Sequence, residues 1–146
     1  MEIDKVFKEF IQLANLNKVE YRVVGGYAVT AYGYNRYTDD IDFWIRSNKD
    51  NAERITKTLI EFGFGSLDVN EDDLLKKDYV IQLGYPPNRI DILTGVSGLS
   101  FDECWNEKKE FIFDGEKINF ISLHHLKINK QATGRDKDKL DLNNLP

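Results

Sequence analysis

Asp40 and Asp42, with Ile41 between them and Phe43 behind, are the residues of this chain best placed to do chemistry. They open an apolar run, Asp40 to Arg46, that reads as a β-strand. Alternation along a strand puts both carboxylates on one face and Ile41 and Phe43 on the other. Two carboxylates on one face of an apolar strand repel each other and resist desolvation unless a cation sits between them. A hard divalent cation meets that need. Mg²⁺, with Mn²⁺ as the alternative, is held by one or two carboxylates together with substrate phosphates. Upstream, the apolar strand Tyr21 to Val24 runs into Gly25 and Gly26. Glycines at a strand end let backbone N–H groups approach a phosphate closely. Taken alone, D-x-D is often a solvated strand edge and Gly-Gly a tight turn. Their order (strand, Gly-Gly, helix, paired carboxylates) favours a phosphate cradle facing a metal.

A third carboxylate belongs with these two. Tyr79 to Gly84 and Arg89 to Thr94 read as strands joined by Tyr-Pro-Pro-Asn. Asp91, flanked by Ile90 and Ile92, points away from the apolar face of its strand, an unusual place for an aspartate. It is either a partner for Arg89 or a third metal ligand that helps deprotonate an attacking hydroxyl. In two-metal sites, ions about 3.5–4 Å apart clamp the attacking and leaving oxygens of an in-line displacement. Arg36 falls just before the carboxylates and is expected to contact phosphate; Thr38 and Asp39 shape the turn into the strand.

Other residues have plainer readings. Adjacent His124 and His125 start a helix, where consecutive side chains diverge, so they are read as ordinary surface or core histidines and no metal pair. Tyr27, Tyr32, Tyr34 and Tyr37 crowd the region of the site; core packing suits each singly, with stacking on a base as the alternative. Trp44 is expected on the face of Asp40 and Asp42, walling the site. The basic run from Lys127 to Lys139 is the best candidate for a local nucleic-acid patch, with a solvated helix face of alternating Asp and Lys as its plainer reading.

The elements that must hold these residues follow from periodicity and punctuation. Ile3, Val6, Phe7, Phe10, Ile11 and Ala14 make a helical stripe over Ile3 to Asn17. After strand Tyr21 to Val24, Tyr27 to Tyr34 reads as a short helix ending at Gly33. Asn51 to Phe62 is amphipathic and stopped by Gly63. Asp72 to Lys77 is a turn or helical piece, and Phe101 to Trp105 a short helix. Glu110 to Phe113 and Lys117 to Ile121 flank Asp114-Gly115, a strong hairpin signal. Ser122 starts a helix through Lys130, and Asp136 to Leu145 forms the last. The expected fold is α+β: a mixed β-sheet with helices packed mainly on one face.

With 146 residues, the chain is expected to form one domain, 1–146, able to bury a proper core. No run approaches the length of a membrane span, and the charged amphipathic start does not read as a signal sequence. Cytoplasmic residence is the expectation. A single cysteine, Cys104, excludes an internal disulfide and offers no metal spacing. The net charge of −5 argues against a dedicated nucleic-acid binder, whose footprint is basic, though a local patch can still hold RNA.

In the order of its motifs the chain resembles the nucleotidyltransferase superfamily of the DNA polymerase β type. Within that superfamily, GGYAVTAYG-x-x-R-x-T-D-D-I-D is similar to minimal AbiEii-like nucleotidyltransferases of toxin–antitoxin and phage-defence loci. Their R-x-T-x-DID segment is matched by Arg36, Thr38, Asp40 and Asp42. A K-x-A-x-G-R-x-K-D-x-x-D-like region is matched by Lys130, Ala132, Gly134, Arg135, Lys137, Asp138 and Asp141. The similarity spans about residues 21–45, 88–94 and 122–145. It is more specific for fold than for substrate.

The resemblance implies a Mg²⁺-dependent enzyme that moves a nucleoside monophosphate from a nucleoside triphosphate, ATP among them, to a hydroxyl. Asp40, Asp42 and Asp91 would be the catalytic metal ligands. Gly25, Gly26, Arg36, Thr38, Lys130 and Arg135 would hold the nucleotide. Larger relatives carry an added helical domain for the acceptor, for which this chain leaves little room. The acceptor is then held by a second copy or a partner protein, or is small. An RNA or tRNA end, a protein hydroxyl and a small hydroxylated compound all remain open. So does a non-catalytic member that binds nucleotide or a partner protein. A phosphohydrolase using the same metal cage, with water as acceptor, is the weaker third reading.

Overall fold

The computed structural model describes residues 3–65 and 69–146. Its frame is a six-stranded mixed sheet in the order β3-β4-β2-β1-β6-β5. The strands are β1 (Tyr21–Val24), β2 (Asp40–Ile45), β3 (Val80–Leu83), β4 (Arg89–Leu93), β5 (Lys109–Phe113) and β6 (Glu116–Phe120). β2 lies antiparallel to β1 and parallel to β4, while β1 is parallel to β6. The hairpins β3–β4 and β5–β6 close the two edges. Asp114 and Gly115 turn the second hairpin with φ of 51° and 78°, the left-handed pair that a tight two-residue loop demands.

One face of the sheet is covered by two long amphipathic helices, α1 (Lys5–Leu16) and α3 (Lys49–Leu59). Asp4 caps α1 by accepting from the Val6 N–H at 2.8 Å, and Asn48 caps α3 by accepting from Asn51 N–H at 2.9 Å. These caps satisfy amide donors that a helix start otherwise leaves unpaired. Phe7, Phe10, Ile11 and Ala14 form the buried stripe of α1. Phe10 packs on Phe43 of β2 with ring centroids 5.1 Å apart, and Tyr21 of β1 meets Phe43 at 5.4 Å. The chain continues beyond α3 as a wider helical turn to Phe64, broken by Gly63 at φ 103°. One turn, Asp73–Leu75, occupies the segment read as a turn or helical piece.

The opposite face carries the even-numbered side chains of β2. Trp44 is buried there under Phe101 of α4 (Phe101–Trp105), with the Arg22 guanidinium 4.1 Å from the Trp44 ring and 4.2 Å from that of Phe101. Trp44 therefore shares the face of Asp40 and Asp42, as alternation requires, but does not line the cleft beside them. Arg22 and the aromatic rings of α4 take it up deeper along the strand.

The short α2 (Gly25–Ala31) links β1 to β2, and α5 (Leu123–Thr133) and α6 (Asp136–Asn144) end the chain. α2 begins at Gly25, earlier than the expected Tyr27, so the glycine pair is its first turn and no separate loop intervenes. Ser122 caps α5 by accepting from His125 N–H at 3.1 Å, and Gly134 ends it at φ 62°. No described helix is long and apolar enough to cross a membrane.

Candidate active site

Strand register builds the site. β2 and β4 run parallel with Asp42 opposite Asp91 and Asp40 opposite Arg89, while Val24 at the end of β1 faces Asp42 from the other side. Side chains opposite one another in register share a sheet face. Asp40, Asp42 and Asp91 therefore converge, each offering a carboxylate oxygen within 4.8 Å of the others. Arg89 sits among them. Its Nη2 donates to Asp40 Oδ2 at 3.0 Å and to Asp91 Oδ2 at 2.9 Å, and its Nε donates to Asp91 Oδ1 at 2.9 Å. The two readings of Asp91, partner of Arg89 and member of an acidic triad, hold together in one geometry. The Thr38 hydroxyl lies 3.2 Å from Asp40 Oδ1 and 3.1 Å from the Asp40 carbonyl, closing the turn into β2.

Crowding shows in the acidities. Burial, then the charges of Asp40 and Asp91, push the Asp42 carboxyl up to about 7. Burial also raises Asp91; the Arg89 hydrogen bonds oppose this, and the nearby Asp40 adds to it. A single guanidinium thus leaves three carboxylates under-neutralised. The donor set is all oxygen and acidic, which suits a hard divalent cation. An ion would draw the three oxygens together from their present separation and reverse the pressure toward protonation.

Gly25 is sterically required here, and Gly26 is closely packed. Gly25 has φ 68°, a left-handed conformation, and a Cβ on it would collide with Asp42 Oδ2. A Cβ on Gly26 would stand 3.0 Å from Thr38 Oγ1 and 3.3 Å from Arg36 Nη2. Together the two glycines keep the backbone at the start of α2 within reach of the carboxylates.

A cleft of about 380 Å³ opens over this corner, and its far wall is cationic: Arg36, Lys130, Arg135 and Lys137. The first three are already engaged. Arg36 Nη2 donates to Asp141 Oδ2 at 3.1 Å, and its Nε lies 2.9 Å from Asp141 Oδ1 in an ion contact not aligned as a hydrogen bond. Lys130, only 3% exposed, donates to Asp138 Oδ1 at 3.2 Å and pairs with Asp141 Oδ2 at 3.1 Å. Arg135 Nε donates to Asp138 Oδ2 at 2.8 Å. Burial opposes ionisation of Asp138, but the hydrogen bonds from Arg135, Thr133 and Lys130 overcome it and hold the carboxyl well below the usual carboxylate range. The run read as a solvated helix face is thus partly interior, because capping and ion pairing turn Lys130, Asp138 and Asp141 inward. Lys137, by contrast, is exposed on the cleft wall without an ion pair among the described residues.

The residues assigned from the sequence to metal or nucleotide, Gly25, Gly26, Arg36, Thr38, Asp40, Asp42, Asp91, Lys130 and Arg135, all line this one cleft, whereas Trp44 does not. Arg89 is weighed in the sequence only as a partner for Asp91, and its bridge to Asp40 is not expected there. Its signal was its place two residues before Asp91, on the same strand face. His125 is taken up by Ser122 Oγ at 3.0 Å from Nδ1 and Glu107 at 3.2 Å from Nε2, apart from the cleft.

The chain aligns with a crystal structure from Thermotoga maritima described as a "putative nucleotidyltransferase", with a TM-score of 0.63 and 18% identity, covering 95% of this chain and 89% of that one. The chain shares the fold of that neighbour. Its mixed six-stranded α+β architecture matches that neighbour across nearly its whole length. No family model matches the sequence, and no curated protein matches it.

Proposed function

We propose that the protein is a Mg²⁺-dependent nucleotidyltransferase, with Mn²⁺ able to replace Mg²⁺, acting on a nucleoside triphosphate and a hydroxyl acceptor. The observation that carries this reading is a cleft with two unlike walls: an under-neutralised triad of Asp40, Asp42 and Asp91 on one side and a cationic wall on the other. A triphosphate–metal complex has that polarity. The fold is the second support.

Asp40 and Asp42 would hold the metal ions, and Asp91 would complete the set. When bound, the ions would polarise the α-phosphate and stabilise charge on the attacking and leaving oxygens. Asp91 would also accept the acceptor's proton. The acceptor oxygen forms a bond to the α-phosphorus, the bond to pyrophosphate breaks, and pyrophosphate leaves with its electron pair. Backbone N–H groups at Gly25 and Gly26 would seat the triphosphate, with Thr38 fixing Asp40 and Arg36 behind them. Lys137 is the cleft cation with a free charge to offer phosphate; Lys130 and Arg135 act chiefly by shaping the wall. Catalysis of this kind is mostly positioning and electrostatic stabilisation.

The acceptor is an RNA end or a protein hydroxyl, held with help from a second copy or a partner protein, or a small hydroxylated molecule, and a place in a toxin–antitoxin or defence system belongs to the same reading. Thermal unfolding with each of the four ribonucleoside triphosphates, with and without Mg²⁺, tests the donor site without knowing the acceptor. Ligand at 100 times its Kd stabilises by about 2.7 kcal/mol, or several degrees in a domain of this size. The expected outcome is a Mg²⁺-dependent rise with at least one nucleotide that Asp42→Asn lacks. No rise with any of them would turn the reading to a non-catalytic, partner-binding protein.

A further inference from the structure

The triad carries its own cation. The Arg89 fork takes both oxygens of Asp91 and Oδ2 of Asp40, and the Thr38 hydroxyl takes Oδ1 of Asp40. Neither Asp42 oxygen accepts from a cationic side chain among the described residues. A divalent ion held by the three carboxylates must therefore share oxygens with Arg89 or take them from it. The guanidinium cannot yield by losing a proton, since arginine stays charged in proteins. It can yield by moving: its side chain is 27% exposed at the cleft.

We propose that Arg89 is the resident counter-ion of the triad, holding Asp40 and Asp91 together until a divalent cation displaces it, and so setting how tightly the bare ion binds. This rests on the metal reading above. Removing one cation from three clustered carboxylates raises their mutual repulsion, so the metal-free protein depends on Arg89. The same removal takes a like charge away from an incoming ion. A bare ion meets the guanidinium as a like charge competing for the same oxygens, whereas an ion already chelated by a triphosphate competes for them too but brings phosphate charge that the guanidinium attracts. Arg89 thus favours loading of metal together with nucleotide over metal alone.

Mn²⁺ titrated calorimetrically into the wild type, Arg89→Gln and Arg89→Lys, each first freed of metal with EDTA, tests this. Arg89→Gln should bind Mn²⁺ at least about tenfold more tightly, since like charges a few ångströms apart interact by more than the 1.4 kcal/mol that a factor of ten represents. Its metal-free melting temperature should fall below that of the wild type. Arg89→Lys keeps the charge and should stay within about threefold of wild-type affinity. Equal or weaker Mn²⁺ binding by Arg89→Gln overturns the counter-ion role while leaving the metal reading intact. No Mn²⁺ binding by either wild type or Arg89→Gln overturns both. If Arg89→Gln does not fold without metal, recovery of its unfolding transition on adding Mn²⁺ supports the proposal, and failure to recover counts against it.

Discussion

Two charge clusters face each other across one cleft and are built on opposite principles. In the sheet, Asp40, Asp42 and Asp91 share a single guanidinium, and Asp42 is driven toward its protonated form by burial and its neighbours. Across the cleft, Asp138 and Asp141 are nearly inaccessible at 0% and 1% exposure, yet Lys130, Arg36 and Arg135 surround them. Ionised Asp138 also accepts from Thr133 Oγ1 at 2.6 Å and from the Arg135 amide at 3.1 Å, capping α6. The helical cluster is satisfied and ties α5 and α6 to the segment before β2. The sheet cluster is left short of positive charge. The two clusters differ in counter-charge and not in burial alone.

The largest expected effect tests the satisfied cluster. Asp138→Asn takes from the buried Lys130 one of its two carboxylate partners; breaking a buried pair costs about 3–5 kcal/mol, so the melting temperature should fall by on the order of ten degrees. The sign in pH follows: Asp138 ionises more easily folded than unfolded, so its contribution is present above the ordinary carboxylate range and lost in acid. A melting temperature within two or three degrees of wild type at pH 7 would break the contrast.

Asp42→Asn should do the reverse. The Asp42 carboxyl stands at about 7 against an ordinary 3.8, so its protonated form favours the fold. That contribution is whole below about pH 4 and lost as pH rises through 7. Without metal, Asp42→Asn should therefore be more stable than wild type at pH 8, by on the order of 2 kcal/mol, and equal to it near pH 4. Differential scanning calorimetry across that range reads the difference directly. Metal affinity of the wild type should weaken below about pH 7 for the same reason, because the ion must displace a proton.

The smallest effect sharpens the functional side. Lys137→Ala, at an exposed position, should change stability by less than about 0.5 kcal/mol. Its Kd for the Mg²⁺–nucleotide complex should still weaken several-fold in equilibrium titration. Unchanged nucleotide affinity would assign the phosphate to another part of the wall.

Much of this was legible in the sequence because it rests on local rules. The apolar run Tyr21–Val24, the short helix Phe101–Trp105 and the Asp114-Gly115 hairpin all stand where the local sequence put them. Strand alternation likewise put Asp40 and Asp42 on one face and turned Asp91 from its apolar neighbours. What local rules could not reach was pairing. Arg89 joins the site because β2 and β4 run parallel in the register Asp40 opposite Arg89, a tertiary fact. Trp44 was placed on the correct face but not at the correct depth, since α4 covering it is likewise tertiary. The Asp-Lys alternation of α6 looks solvated because nothing in the spacing says which turn faces Arg36 and Lys130.

The central claim is that the sheet triad is a metal site and the helical cluster is not. Crystals grown with millimolar MnCl₂ and measured at a wavelength where manganese scatters anomalously test it most directly. The account predicts an anomalous peak about 2.0–2.5 Å from oxygens of Asp40, Asp42 and Asp91, with Arg89 moved off Asp91 and no peak at Asp138 or Asp141. A map with no peak at the triad and Arg89 still bridging Asp40 and Asp91, or with manganese at the helical cluster instead, would contradict it.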